Sequence, residues 1–156
     1  MALYNPGDQI PDLKVTNAEG HLKPLSAQMG KRGLLIFALR GTWCAFCVQQ
    51  IKSVQRHYHR YAGVGVTSVF ITPESEDSLW TFKISQPQPL NFGLHSDPGR
   101  ETMELFIERE HIDTLPATYL LDTDRRVMWR YIGKDAEDHP GHQTLLEAIA
   151  GSLVAT

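Results

Sequence analysis

Two thiols set two residues apart are the groups in this sequence best suited to covalent chemistry. Cys44 and Cys47 are its two cysteines, and both lie in Gly41-Thr42-Trp43-Cys44-Ala45-Phe46-Cys47. Sulfurs at this spacing close a redox disulfide, hold half of a zinc site, or are inert core residues. The flanking residues favour the first. Leu34 to Leu39 is an unbroken apolar run of the length and bulk of a strand buried on both faces. After the cysteines, Val48, Ile51 and Val54 recur at helical spacing. The local order is therefore strand, tight turn, and a helix that opens at the thiols. There Cys44 meets the positive end of the helix dipole and unsatisfied backbone N–H groups, both of which favour thiolate over thiol. Cys44 is thus expected to attack, and Cys47, one turn further on, to close a disulfide onto it. A zinc site needs further ligands, and no second C-x-x-C exists. His57 and His59 are two positions apart on the same expected helix, about 200° around it, so they cannot both turn toward the cysteines. No metal is expected.

The elements that position these thiols fit one domain spanning residues 1–156, long enough for a real core. The net charge of −3 gives no basic footprint for nucleic acid. No apolar run approaches a membrane span; the longest is the six residues already named. Met1 to Pro6 lacks the basic and apolar regions of a secretory signal, so a chain starting natively at Met1 is expected in the cytoplasm. In a reducing compartment one C-x-x-C pair points to catalysis, not to a structural staple.

Leu13-Lys14-Val15, the turn at Glu19-Gly20 and His21-Leu22 read as an N-terminal hairpin packed on the end of the domain, with a helical turn over Leu25–Met29. The helix after the cysteines is expected to run to about Tyr61 and to be capped at Gly63, with Arg56, His57, His59 and Arg60 as solvated basic residues at its end. Residues 66–71 read as a second buried strand. Thr72 as N-cap and Pro73 at the first position open the next helix. A short strand at 92–95 and a helix over about 100–107 follow. Residues 115–122 and 127–132 form a hairpin, and a helix over about 142–154 closes the chain, giving βαβα(βα)ββα.

This pattern resembles the thioredoxin fold, and within it the redoxins of the alkyl hydroperoxide reductase/thiol-specific antioxidant (AhpC/TSA) family. Four pieces carry the resemblance: the entry Asn5–Leu13, the turn Arg40–Cys47, the strand Leu115–Asp122 and the closing helix. It implies an α/β fold with a central mixed sheet flanked by helices and an N-terminal β-hairpin extension. It also implies Cys44 as nucleophilic and Cys47 as resolving thiol. Pro116 falls where thioredoxin-like proteins keep a cis proline facing the disulfide, so a cis Leu115–Pro116 bond is expected, with the Leu115 backbone pairing with an extended substrate segment. A trans proline starting a strand is the alternative. Three departures stand out. The P-x-x-x-T-x-x-C pattern of the family's peroxidases fits neither register, since Phe37 and Gly41 precede Cys44 at the proline and threonine positions and Arg40 and Cys44 precede Cys47. The arginine that those members place before the late strand is here Pro116. Ala45-Phe46 stands between the thiols where many relatives have Gly-Pro or Pro-Pro, which bears on redox poise.

The expectation is a thiol–disulfide oxidoreductase that needs no cofactor and works with a thiol or disulfide substrate, protein or small molecule, and a reductant. Trp43 covers one side of the site or packs under the turn. Thr42 hydrogen-bonds near the sulfur or shapes the turn. Arg40 supports the thiolate or is a solvated charge at a strand end. The rivals are a thiol peroxidase using the same two sulfurs and a redox-sensing binding module without turnover.

Overall fold

The computed structural model describes residues 3–153, so Val154, expected in the last helix, lies outside the described residues. The strands are β1 (Lys14–Asn17), β2 (Leu22–Pro24), β3 (Gly33–Ala38), β4 (Val66–Thr72), β5 (Gly93–Ser96), β6 (Ala117–Leu121) and β7 (Val127–Ile132). The helices are α1 (Ala45–Arg56), α2 (Tyr58–Gly63), α3 (Glu76–Ile84) and α4 (His142–Ser152). The strands form one mixed sheet in the order β2-β1-β5-β4-β3-β6-β7, with β3 parallel to β4 and antiparallel to β6.

β3 is the central strand, and its apolar run has a physical reason. Leu35 and Phe37 face one side, where Cys47, Ile51 and Val54 of α1 and Leu145 and Ile149 of α4 pack. Leu34, Ile36 and Ala38 face the other, against Val69, Ile71, Phe106 and Tyr119. A strand covered on both faces has no solvent side on which to alternate. Its carboxyl end delivers the chain directly into the cysteine turn.

The N-terminal hairpin is present as expected, β1 with β2, and it packs by joining the sheet at its edge, where β1 pairs with β5 through Thr16↔Ser96 and Asn17↔His95. Several other expectations are corrected. The helix after the cysteines breaks at His57 (φ −103°, ψ 15°). There the imidazole Nδ1 lies 2.8 Å from the Ser53 carbonyl and the ring stacks on His142, with centroids 3.6 Å apart. His57 is therefore a packed corner between α1 and α4, not a solvated helix end. The left-handed glycine that follows is Gly65 (φ +78°), not Gly63. α3 starts later than expected, with Ser75 as N-cap accepting from Ser78 N–H at 3.2 Å. Residues 100–107 do not form an α-helix. Arg100 takes a positive φ of 64°, and the Asp97 carboxylate accepts the Met103 N–H at 2.7 Å. The chain instead makes 3-10 turns at Met103–Leu105 and Arg109–His111, while Met103, Phe106 and Ile107 remain in the core.

Candidate active site

Cys44 is the N-cap of α1, in extended backbone (φ −91°, ψ 120°), and its Sγ accepts the Cys47 N–H at 3.5 Å. A capping position normally held by Ser, Thr, Asp or Asn is thus held by a sulfur that meets an orphan helix donor. Arg40 supplies the second donor, with Nη1 at 3.3 Å from Cys44 Sγ. Burial alone would raise the Cys44 thiol. The Cys47 N–H and thiol, the Arg40 charge and the Phe46 N–H outweigh it and hold the pKa below its ordinary value. Cys47 is pushed up to about 12, by burial first and then by the Cys44 sulfur beside it, against opposing backbone donors. Both thiols are free. One is therefore poised as nucleophile while the other stays protonated behind it. Both thiols are buried, Cys44 at 4% exposure and Cys47 at 0%. The exposed residues of the turn are Trp43, at 63%, Ala45 and Phe46.

Arg40 is fixed, not solvated. Its Nε donates to the Asp113 carbonyl at 2.8 Å, and its guanidinium carbon lies 4.8 Å from the centroid of the Trp43 ring. Trp43 therefore covers Arg40, which in turn touches the sulfur, a stacked cation of the kind guanidinium favours. Gly41 makes this possible, because a Cβ there would collide with the Trp43 indole.

Thr42 shapes the turn; its hydroxyl does not go to the sulfur. The Thr42 N–H and Oγ1–H donate to the two oxygens of Glu74, both at 2.7 Å. Thr72 Oγ1–H donates to the same carboxylate at 2.9 Å and Ser78 Oγ–H at 3.2 Å. Glu74 thus pins the cysteine turn to the end of β4 and the start of α3. Sequence reasoning missed this role, because an acid after Thr-Pro has the local signature of a first helical turn.

The expected cis proline is absent: every peptide bond among the described residues is trans. Pro116 is the alternative, a proline leading into β6, where no N–H is needed. Its carbonyl accepts the Gly133 N–H at 2.9 Å, and Gly133 leaves room for its ring, since a Cβ there would meet Pro116 Cγ at 2.8 Å. The Leu115 N–H donates to the His111 carbonyl at 2.8 Å, so this donor is not open to pair with a substrate strand. Among the described residues, the group of side chains able to converge on one ion is Glu108, Glu110 and His111, which includes neither cysteine.

A helix-capping thiolate beside a cation, with a protonated thiol one turn behind it, on a mixed sheet, defines a dithiol redox site. Residues 6–130 match the AhpC/TSA family, and the chain belongs to that family. Thiol-disulfide oxidoreductase ResA of Bacillus thuringiensis (strain Al Hakam) is 26% identical over 132 residues, which are 85% of this chain and 72% of that protein. Peroxidoxin BcpB from Mycobacterium tuberculosis superposes with a TM-score of 0.77 at 15% identity, covering 98% of this chain and 99% of that one. A protein described as a thiol:disulfide interchange protein, DsbE, from Chlorobium tepidum gives 0.68 at 21% identity, covering 94% and 99%. These likenesses show the thioredoxin fold that the sequence implied.

Proposed function

We propose that this protein is a thiol–disulfide oxidoreductase in which Cys44 is the nucleophile and Cys47 the resolving thiol. The Cys44 thiolate attacks a substrate disulfide, a mixed disulfide forms and one thiolate leaves. Cys47 then displaces the second thiolate and leaves a Cys44–Cys47 disulfide, which an external dithiol reduces. The observation that carries this reading is the Cys44 sulfur held by the Cys47 N–H and the Arg40 guanidinium, with Cys47 protonated beside it. Trp43 and Phe46 give the substrate an aromatic surface, and an open trough of about 550 Å³ between Trp43 and Phe82 leaves room for a polypeptide. Disulfide-bearing proteins or small disulfides are the substrate class. A reducing, cytoplasmic setting belongs to this proposal, and fractionation of the native cells tests it.

One observation favours the peroxidase rival: Arg40 meets the sulfur as a cationic donor. Two oppose it. The Thr42 hydroxyl is committed to Glu74, and Pro116 stands where the family's peroxidases place their arginine. A panel of insulin disulfide, hydrogen peroxide and an organic hydroperoxide under steady-state turnover separates the readings. Disulfide turnover lost in Cys44→Ser and Cys47→Ser supports exchange. Turnover of peroxide alone supports the rival, and absence of all three supports a sensing module.

A further inference from the structure

The exchange reading leaves one step without a proton acceptor. Cys47 must become a thiolate to resolve the mixed disulfide, and its thiol resists this, being fully buried. β3 beneath the turn carries only Gly and apolar residues, so no carboxylate lies there. Glu74 has all its visible capacity taken by four donors. The Asp113 carboxylate is bonded to Arg100, and that of Asp138 to Tyr131 and Lys134. Arg40 is a cation and cannot accept.

Among the described residues on this side, a further titratable side chain offers a basic nitrogen. The segment between β7 and α4 folds back over α1, and the Pro140 carbonyl accepts from Gln50 Nε2 at 3.0 Å. Gln50 is buried one helical turn beyond Cys47, on the same side of α1. The residue before Pro140 is His139. Both of its ring nitrogens are buried and neither makes a well-formed hydrogen bond; the Ala136 backbone lies near enough to one of them to act on the ring, and the other faces no protein acceptor or donor. A buried imidazole nitrogen without a well-formed hydrogen bond is rare in folded proteins and calls for an explanation. The loop that carries it is held, since Asp138 accepts from Tyr131 Oη at 2.6 Å and from Lys134 N–H at 2.8 Å. Burial, and then the charge of Arg40, which also touches Cys44, push the imidazole below its ordinary value against the pull of the Ala136 backbone and Asp138. The ring is therefore neutral at pH 7, with a lone pair to accept a proton.

We propose that His139 is the proton acceptor for Cys47 in the resolving step, directly or through one water. This assignment rests on the exchange reading. In the first step the Cys44 thiolate attacks RS–SR, the Cys44–SR bond forms and RS⁻ leaves. In the second, the Cys47 thiol gives its proton to His139 and its sulfur attacks Cys44 Sγ. The Cys44–Cys47 bond forms, the Cys44–SR bond breaks, and the second RS⁻ leaves with the electron pair. The imidazolium returns its proton to that thiolate or to water, and two electrons have passed from the dithiol to the substrate.

The test resolves the two steps. Reduced protein mixed with 5,5′-dithiobis(2-nitrobenzoate) in a stopped-flow cell releases one coloured thiolate when Cys44 attacks and a second when Cys47 does. In His139→Gln and His139→Ala the first release is expected to stay within about two-fold of the unaltered protein, which also reports an intact site. The second is expected to slow about 100-fold, the ordinary size of a general-base contribution. Free imidazole is expected to restore it in His139→Ala, which a purely structural role does not allow. A second release unchanged in both variants, or two releases slowed together, would overturn the assignment. A first release in the unaltered protein no faster than that of a free thiol would sink the exchange reading itself.

Discussion

Replacing Arg40 by Met keeps the bulk of the stem and removes the cation from Cys44. The guanidinium Nη1 is 3.3 Å from the sulfur. At an effective dielectric constant of about 20, a full unit charge at that distance gives roughly 5 kcal/mol of attraction. That figure is an upper bound, because the charge is spread over three nitrogens, Nε is shared with the Asp113 carbonyl, and Arg40 is partly open to solvent. A hydrogen bond to a charged group has a net value of about 1.5–3 kcal/mol. The remaining donors, the N–H groups of Cys47 and Phe46 and the Cys47 thiol, survive the change. R40M should therefore lower the thiolate fraction of Cys44 at neutral pH by about 10- to 100-fold. The sign follows from the depressed thiol: reactivity rises with pH through the Cys44 pKa, so the variant's profile moves to higher pH. Mass-mapped iodoacetamide labelling of the reduced protein between pH 5 and 9 reads this. Cys44 is expected to label ahead of Cys47 in both proteins, with the lead much reduced in R40M. An unchanged Cys44 profile in a folded R40M protein would show that the guanidinium does not act on the sulfur, and the electrostatic account of the nucleophile would fail.

Other expectations follow from single contacts. Glu74→Ala strips four donors of their acceptor and should lower unfolding stability by about 2–4 kcal/mol, read as a shift in urea midpoint at constant slope; a change below about 0.5 kcal/mol would remove Glu74 as the clamp on the turn. Gly41→Ala should displace the Trp43 indole, seen as a change in tryptophan emission together with slower Cys44 labelling; an unaltered spectrum and rate would contradict the packing described. Cys47→Ser should accumulate a stable mixed disulfide on Cys44 with a disulfide substrate, and mass spectrometry that finds none would reverse the roles of the two thiols. His95 is buried at the β1–β5 junction, its Nδ1 without a protein partner, and burial lowers its pKa to about 4. The unfolded chain takes up that proton near the ordinary pKa of about 6.5. Stability from this group is therefore complete above pH 6.5 and lost as pH falls toward 4, on the order of 3 kcal/mol. His95→Asn should flatten that slope, and an equally steep loss would assign it elsewhere.

The parts of the fold legible in the sequence are those set by local chemistry. The run Leu34–Leu39, the two thiols opening a helix, and the hairpin around Asp122–Arg126 each follow from burial or turn rules that act within a few residues. What was not legible depends on partners far along the chain. Arg40 had two local readings of equal merit, and the choice was made by the Asp113 carbonyl, 73 positions away, and by the Trp43 ring. Glu74 read as a helix acid because nothing near it announces Thr42, 32 positions back. The break at His57 comes from stacking on His142, at the other end of the chain. Residues 100–107 have helical periodicity, but the Asp97 carboxylate takes the Met103 N–H and turns the chain into 3-10 geometry. Pro116 shows a limit of resemblance: the residue type matches the family's position, and the bond isomer does not.

The central claim is that this site exchanges disulfides and has no dedicated peroxide machinery. A peroxidase must meet the charge that develops on both peroxide oxygens with fixed donors. Here Thr42 gives its hydroxyl to Glu74, and Pro116 has no donor to give. The most direct measurement is the second-order rate of Cys44 oxidation by hydrogen peroxide, set against a free-thiol standard at the same thiolate fraction. The account predicts an enhancement within about ten-fold, alongside rapid reaction with a disulfide. An enhancement of roughly 10³-fold or more, about 4 kcal/mol of transition-state stabilisation, would contradict it.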